Sequence, residues 1–181
     1  TPFDDIKVRR ALCMAVDQQA IADTYYGGNA ELMNFPAAPI PEFSDVYVPL
    51  EELPESIREQ FEYHPDKARQ LLVEAGYPEG FKTEAICVST SDTIDLLSIV
   101  KNYWVDIGVD LTIQPKEIGA YYSIVYAKSF EQILVGTAGA TEAFTFVRTR
   151  VGNTWNHSNV NDPVINDVYE RIAAARFDET S

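Results

Sequence analysis

Between His64 and Ile113 the sequence repeatedly changes its hydrophobic period, with glycine or proline at several of the changes, and this punctuation constrains the fold more than any other feature. In HPDKARQLLVEAGYPEGF, Ala68, Leu71, Leu72 and Ala75 recur at helical spacing. Proline suits the first position of a helix, where no intrahelical N–H is needed, so Pro65 opens the helix and His64 is its N-cap. Gly76 ends it, and Pro78 prevents its resumption. FKTEAICVST then reads as a strand, TIDLLSIVKNYWVDIG as an amphipathic helix closed by Gly108, and VDLTIQPKEI as a strand alternating Val109, Leu111 and Ile113. GAYYSIVYAKS is a further helix, FEQILVGTAGA a strand running into small residues, and DPVINDVYERIAAARF a closing helix. Strands alternating with helices predict an α/β layer architecture, with a mixed or parallel sheet flanked by helices.

Upstream, Val8, Leu12, Ala15 and Val16 have helical spacing, and Asp17 interrupts them before Ile21 and Tyr25. Two short helices follow from this, the second capped by Asp17, whose carboxylate accepts orphan backbone N–H groups, and ended by Gly27-Gly28. Residues 29–62 carry Pro36, Pro39, Pro41, Pro49 and Pro54 with few periodic apolar positions. They read as an irregular excursion over the surface, with one short helix in PESIREQF. Loops of that length are functional or belong to a larger assembly. Both ends of the chain read as cut: it opens within a helix entry and stops at RFDETS, where Asp178 is placed to cap a new helix.

Composition excludes several partners. Twenty-eight acidic against fourteen basic residues give a formal charge of −14, a field that repels phosphate backbones and anionic membranes, so nucleic acid is not expected. No apolar run approaches the roughly 18 to 20 residues that span a bilayer, and TPFDDIKVRR has no signal-peptide core. A chain of 181 residues that is 46% hydrophobic has enough material for a real core. Cys13 and Cys87 stand in the apolar runs ALCMAV and AICVST, without a CxxC pair or a histidine at ligand spacing. They are expected to be buried free thiols, neither bridged nor metal-bound.

No phosphate loop, dinucleotide-binding glycine pattern, HExxH or GxSxG occurs. His157, beside Trp155 in NTWNHSNVNDP, reads as a solvated loop residue, and His64 as a helix start; a catalytic base needs a paired nucleophile. The pairs Asp4-Asp5 and Glu51-Glu52 read as solvated charge or helix-start residues, and Tyr103, Trp104, Tyr121, Tyr122 and Tyr126 as core aromatics. LVGTAGATEAF carries more chemistry. An apolar strand ends in Gly136, Thr137, Ala138, Gly139 and Ala140 before Thr141 and Glu142, and open α/β sheets bind ligands beyond the carboxyl ends of their strands. Small residues let a ligand approach the backbone, and Thr137, Thr141 and Glu142 supply polar contacts. A tight strand-to-helix connection explains the same residues equally well.

PFDDIKVRRALCMAVDQQAIADTYYGG resembles the phrase that opens the second large lobe in family 5 extracellular solute-binding proteins, the oligopeptide-, dipeptide- and nickel-binding components of ABC importers. Pro2, Phe3, Asp5, Val8, Arg9, Ala11, Ala15, Asp17 and Ile21 fit that phrase. Tyr63, Pro65, Lys67, Ala68, Leu71, Leu72, Glu74, Ala75, Gly76, Tyr77, Pro78, Gly80 and Phe81 fit a second, YDPxKAxxLLxEAGYPxGF, in which the family's aspartate is replaced here by His64. WVDIGVDLTI and NVNDPVINDVYERIAAARFDET are similar to later family segments.

The resemblance implies that residues 1–181 are a single lobe of a two-lobed, periplasmic-binding-protein-like (type II) fold, with the excursion at 29–62 leaning on the other lobe. It implies ligand capture by cleft closure and delivery to an ABC permease, outside the cytoplasmic membrane and membrane-tethered as a lipoprotein, with no cofactor, metal or catalysis. In peptide-binding members the segment matching Val135 to Glu142 offers an aromatic residue and an aspartate that pairs with the peptide amino terminus. Here Thr-Ala-Gly-Ala-Thr follows Gly136, and Glu142 is the nearby carboxylate. Peptides, sugar-like solutes and hydrophobic small molecules all stay open as ligands. Two other readings stand beside transport: an α/β hydrolase or transferase using His64 or His157, and a sensor or docking lobe.

Overall fold

The computed structural model describes residues 1–33, 39–45, 47–136, 151–153 and 156–174, with 42, 172 and 173 by their backbone alone. The chain begins with a 3-10 turn, Pro2–Asp4, and two helices, α1 (Ile6–Met14) and α2 (Gln18–Thr24). As expected, aspartates start both helices: the Lys7 N–H donates to Asp5 at 2.8 Å and the Ala20 N–H to Asp17 at 2.9 Å. In the excursion the described residues form short turns and a single helical turn, α3 (Glu55–Arg58), continued as a 3-10 turn over Glu59–Phe61.

Helix α4 (Pro65–Glu74) matches its sequence punctuation at both ends. His64 is the N-cap, with no side-chain cap bond; its ring instead meets Glu62 at 2.9 Å on the surface, which holds the Glu62 carboxyl below its usual range. At the other end Tyr77 N–H donates to Leu72 and Gly76 N–H to Val73, with Gly76 left-handed at φ 90°. These two bonds satisfy carbonyls that the helix itself leaves orphaned.

Strand β1 (Phe81–Val88), helix α5 (Ser91–Val105), strand β2 (Val109–Lys116), helix α6 (Ile118–Ala127) and the short strand β3 (Ile133–Leu134) follow in order. The sheet is wholly parallel, in the order β2-β1-β3, which resolves the parallel-or-mixed alternative. β3 is shorter than FEQILVGTAGA suggests, and residues 137–140 of that segment lie outside the described ones. Ahead of β3 the Gln132 side chain takes over its role, accepting from the Glu84 N–H at 2.7 Å and the Thr83 hydroxyl at 2.6 Å. Helix α7 (Pro163–Ala174) closes the described chain, its first N–H groups capped by Asp162.

One hydrophobic cluster of the core sits at the amino-terminal end of the sheet. Val8, Ala11, Leu12, Met14 and Ala15 of the α1 segment pack with Ala68 and Leu72 of α4 and with Ile107 and Val109 at the start of β2. Burying a side chain such as Leu72 or Val109 contributes about 1.5 to 3 kcal/mol. Polar groups lock the same layer: the Trp104 indole N–H donates to Leu12 carbonyl at 3.0 Å, and His64 N–H to Met14 carbonyl at 2.8 Å. Glu59, 14% exposed, accepts from both Arg10 and Lys67 and so ties the excursion to α1 and α4.

Two expectations are corrected. Cys87 is a buried free thiol, but Cys13, also free, is exposed, while its neighbours Leu12 and Met14 are buried. Tyr121 is buried, whereas Tyr122 and Tyr126 are 40% and 53% exposed and stack on each other.

Gly80 and Gly108 stand immediately before β1 and β2, and both have positive φ, 73° and 81°. A Cβ on Gly80 would lie 1.9 Å from the Gly108 carbonyl oxygen. Gly80→Ala is therefore expected to cost more than about 2 kcal/mol, since the left-handed conformation alone costs an L-residue roughly 1 to 2 kcal/mol and the obstacle is backbone. Chemical denaturation measures this, and a change below 1 kcal/mol would contradict the contact. His64→Asp restores a side-chain cap at the loss of one exposed ion pair, so a gain of about 0.5 kcal/mol and a melting temperature higher by a few degrees are expected. A lower melting temperature would refute the cap assignment.

Candidate functional site

Because the sheet is parallel, β1, β2 and β3 deliver their carboxyl ends to one edge, opposite the core just described. That edge is open to solvent: Ser89 and Thr90 after β1, Glu117 and Ile118 after β2, and Gly136 after β3 are all exposed. It is also the edge at which open α/β sheets take ligands. The exposed ring pair Tyr25–Tyr26, with centroids 4.9 Å apart and rings at 90°, approaches it from the end of α2, the Tyr25 hydroxyl lying 3.5 Å from the Asp92 carbonyl at the start of α5.

Gly136 is the sequence-derived candidate whose position the structure describes, and its surroundings give it a structural reason to be glycine. The Tyr121 hydroxyl donates to the Val135 carbonyl at 3.0 Å, and a Cβ on Gly136 would come within 2.7 Å of that hydroxyl. Burial raises the Tyr121 phenol above its usual range, with smaller contributions from Tyr122 and Cys87. Tyr121 thus anchors the backbone at the last step of β3, where the small-residue segment begins. Thr137, Ala138, Thr141 and Glu142 lie outside the described residues.

The two histidines stand in different surroundings. His64 is 43% exposed and pairs with Glu62 on the surface. His157 is partly buried in the turn that precedes α7, a segment organised by buried Asn156, whose amide bridges both the N–H and the carbonyl of Val160. The Lys128 ammonium donates to the Asn156 carbonyl at 2.9 Å and holds this turn to the end of α6. Among the described residues no cluster of three metal-ligating side chains occurs, and no helix is long and apolar enough to cross a membrane.

Two features escaped the sequence reading. The Tyr25–Tyr26 pair could not be placed before the tertiary structure brought α2 to α5. A polar line of Glu84, Gln114 and Lys116 crosses one sheet face, the Gln114 amide donating to Glu84 and accepting from Lys116 at 3.1 Å. Its signal was present in β2, where Gln114 and Lys116 alternate with the apolar positions.

Comparison with known proteins places these observations. Residues 1–158 match the family described as "Bacterial extracellular solute-binding proteins, family 5 Middle". The chain is 35% identical over 114 residues to Heme-binding protein A of Haemophilus influenzae, an alignment covering 60% of this chain and 19% of that one. It is 30% identical over 143 residues to Di/tripeptide-binding protein 1 of Pseudomonas aeruginosa, covering 76% of this chain and 25% of the relative. Among solved structures, the periplasmic binding protein DppA from Helicobacter pylori, in complex with peptide STSA, superposes with a TM-score of 0.71 at 25% identity over 93% of this chain and 32% of its own. The chain therefore spans about a fifth to a quarter of the curated relatives it matches.

The Tyr121–Gly136 contact is testable by a double-mutant cycle. Tyr121→Phe removes one hydrogen bond and is expected to cost about 1 kcal/mol. Gly136→Ala is expected to cost a similar amount in the parent and clearly less in the Tyr121→Phe background, where the obstructing hydroxyl is gone. Equal costs in both backgrounds would refute the contact. Because the folded protein favours the neutral phenol, its stabilising effect is complete below the unfolded tyrosine pKa, near 10, and is lost as pH rises toward the raised folded value. Alkaline unfolding of Tyr121→Phe should accordingly begin at higher pH than in the parent.

Proposed function

The chain belongs to the family 5 bacterial extracellular solute-binding proteins, and we propose that it is one lobe of such a protein, spanning residues 1–181, and forms one wall of a cleft that captures a small solute for ABC import. The observation that carries this reading is the family match over residues 1–158. The architecture is consistent with it: the packed core lies at one end of a parallel sheet, and the exposed strand ends lie at the other. Capture proceeds by closure of the second lobe over a ligand resting on this edge, which removes the ligand from water and strengthens its polar contacts. Delivery goes to a membrane permease, and the protein works outside the cytoplasmic membrane, tethered to it by a lipid.

Binding without chemical conversion is the role we assign, in line with the named relatives, which are binding proteins. The exposed setting of His64 offers a catalytic alternative no support. Relatives named for heme and for di- and tripeptides bracket the ligand class. A short peptide is the ligand we favour, with Gly136, Thr137, Ala138, Thr141 and Glu142 as contacts from this lobe. Glu142 would receive the ligand's amino group, because among these five it alone carries a carboxylate.

Mass spectrometry of ligand co-purified with the full-length protein tests the reading directly; small peptides are the expected species, and a protein that never carries or binds a small solute would overturn it. The isolated 181-residue chain should fold yet bind the same ligand at least about 100-fold more weakly in calorimetry. Losing one wall removes on the order of 3 kcal/mol of contacts, and each 1.4 kcal/mol is tenfold in affinity. Equal affinity of chain and full-length protein would refute the shared cleft.

A further inference from the structure

The polar line across the sheet carries a charge whose purpose the fold does not explain. In the register of β1 and β2, Glu84 sits beside Thr112 and Ile86 beside Gln114, so Glu84, Gln114 and Lys116 share the face opposite buried Thr83, Ala85 and Cys87. Gln114 lies between the two charges. Only its amide nitrogen can donate to the Glu84 carboxylate, and only its amide oxygen can accept from the Lys116 ammonium, so the two bonds fix its orientation.

Lys116 is the last residue of β2, at the exposed carboxyl edge, and its carbonyl accepts from the Ser89 N–H at 2.9 Å, which pins its backbone to the end of β1. The ammonium is partly buried and has three donors, of which Gln114 takes one. No ion pair among the described residues includes Lys116. A partly desolvated cation held by a neutral amide, with its nearest relayed carboxylate one residue further away, retains most of its capacity for an anion.

We infer that Lys116 is a specificity-determining residue that pairs with a carboxylate of the captured ligand, its ammonium positioned by Gln114 and Glu84. A singly charged carboxylate fits better than a multiply charged anion. One ammonium supplies one countercharge, and the surrounding field of a chain with net charge −14 opposes any excess negative charge. This inference rests on the reading of the chain as a solute-binding lobe.

The test uses the full-length protein and two probes, trialanine and trialanine amide, which differ in the carboxyl-terminal charge. The parent is expected to bind the free acid at least tenfold more tightly than the amide. Lys116→Met should abolish that preference by weakening the free acid at least tenfold more than the amide, Lys116→Arg should retain part of it, and Glu84→Gln should reduce it. A parent without preference, or a Lys116→Met variant that weakens both probes equally, would overturn the inference. A parent that binds neither probe also overturns it, whereas the co-purified ligand judges the broader reading separately. Thermal unfolding of each variant verifies that the sheet persists.

Discussion

The approach of Gly80 to Gly108 is the contact from which the rest of the molecule is arranged. Two backbones meet there so closely that no side chain fits between them, directly ahead of the paired first residues Phe81 and Val109. The parallel register is continuous from that pair to Val88 and Lys116. Side chains along a strand alternate faces, so a slip by one residue would exchange Thr83, Ala85 and Cys87 for Lys82, Glu84 and Ile86 on the buried side. The glycines thus fix which residues are core and which carry the polar line.

The amino-terminal end of the sheet carries the mechanical integrity. Apolar side chains from α1 and α4 close over Val109 and Ile107, and the Trp104 indole and the His64 backbone tie the helix ends together. Glu59 draws Arg10 and Lys67 to the same place and brings the end of the excursion with them. Such a pair partly removed from water contributes through geometry more than through raw Coulomb energy, because desolvation offsets much of the attraction. Rigidity at one end leaves the opposite end free to be exposed without collapse.

At the exposed end, precision comes from single polar contacts. Tyr121 reaches from α6 to the Val135 carbonyl and holds the point at which β3 becomes loop. Gln114 orients between Glu84 and Lys116. These are local devices on the scaffold, and specificity in general resides in such local sites rather than in the fold.

Much of the secondary structure was legible because its causes are local. Pro65, Gly76, Asp17 and Asp5 act on backbone groups within a few residues, and the alternation in VDLTIQPKEI reports a two-sided strand wherever it lies. Two long phrases of the sequence also identified the family, since they preserve these same stops and caps. What the sequence could not decide depends on groups distant in the chain. Whether the sheet was parallel or mixed turned on β3 pairing with β1 across more than forty residues. Cys13 lies in an apolar run yet is exposed, because packing in the folded chain buries Val8, Ala11, Leu12 and Met14 of the same helix instead. The tyrosines of α6 separate into a buried Tyr121 and an exposed stacked pair, Tyr122 and Tyr126. In the sequence Gly136 reads either as a small residue that lets a ligand approach or as part of a tight strand-to-helix connection, and only tertiary packing places the Tyr121 hydroxyl against it. Periodicity and capping are encoded within a helical turn or a strand pair, whereas burial and contact are properties of surfaces that meet only when the chain is folded.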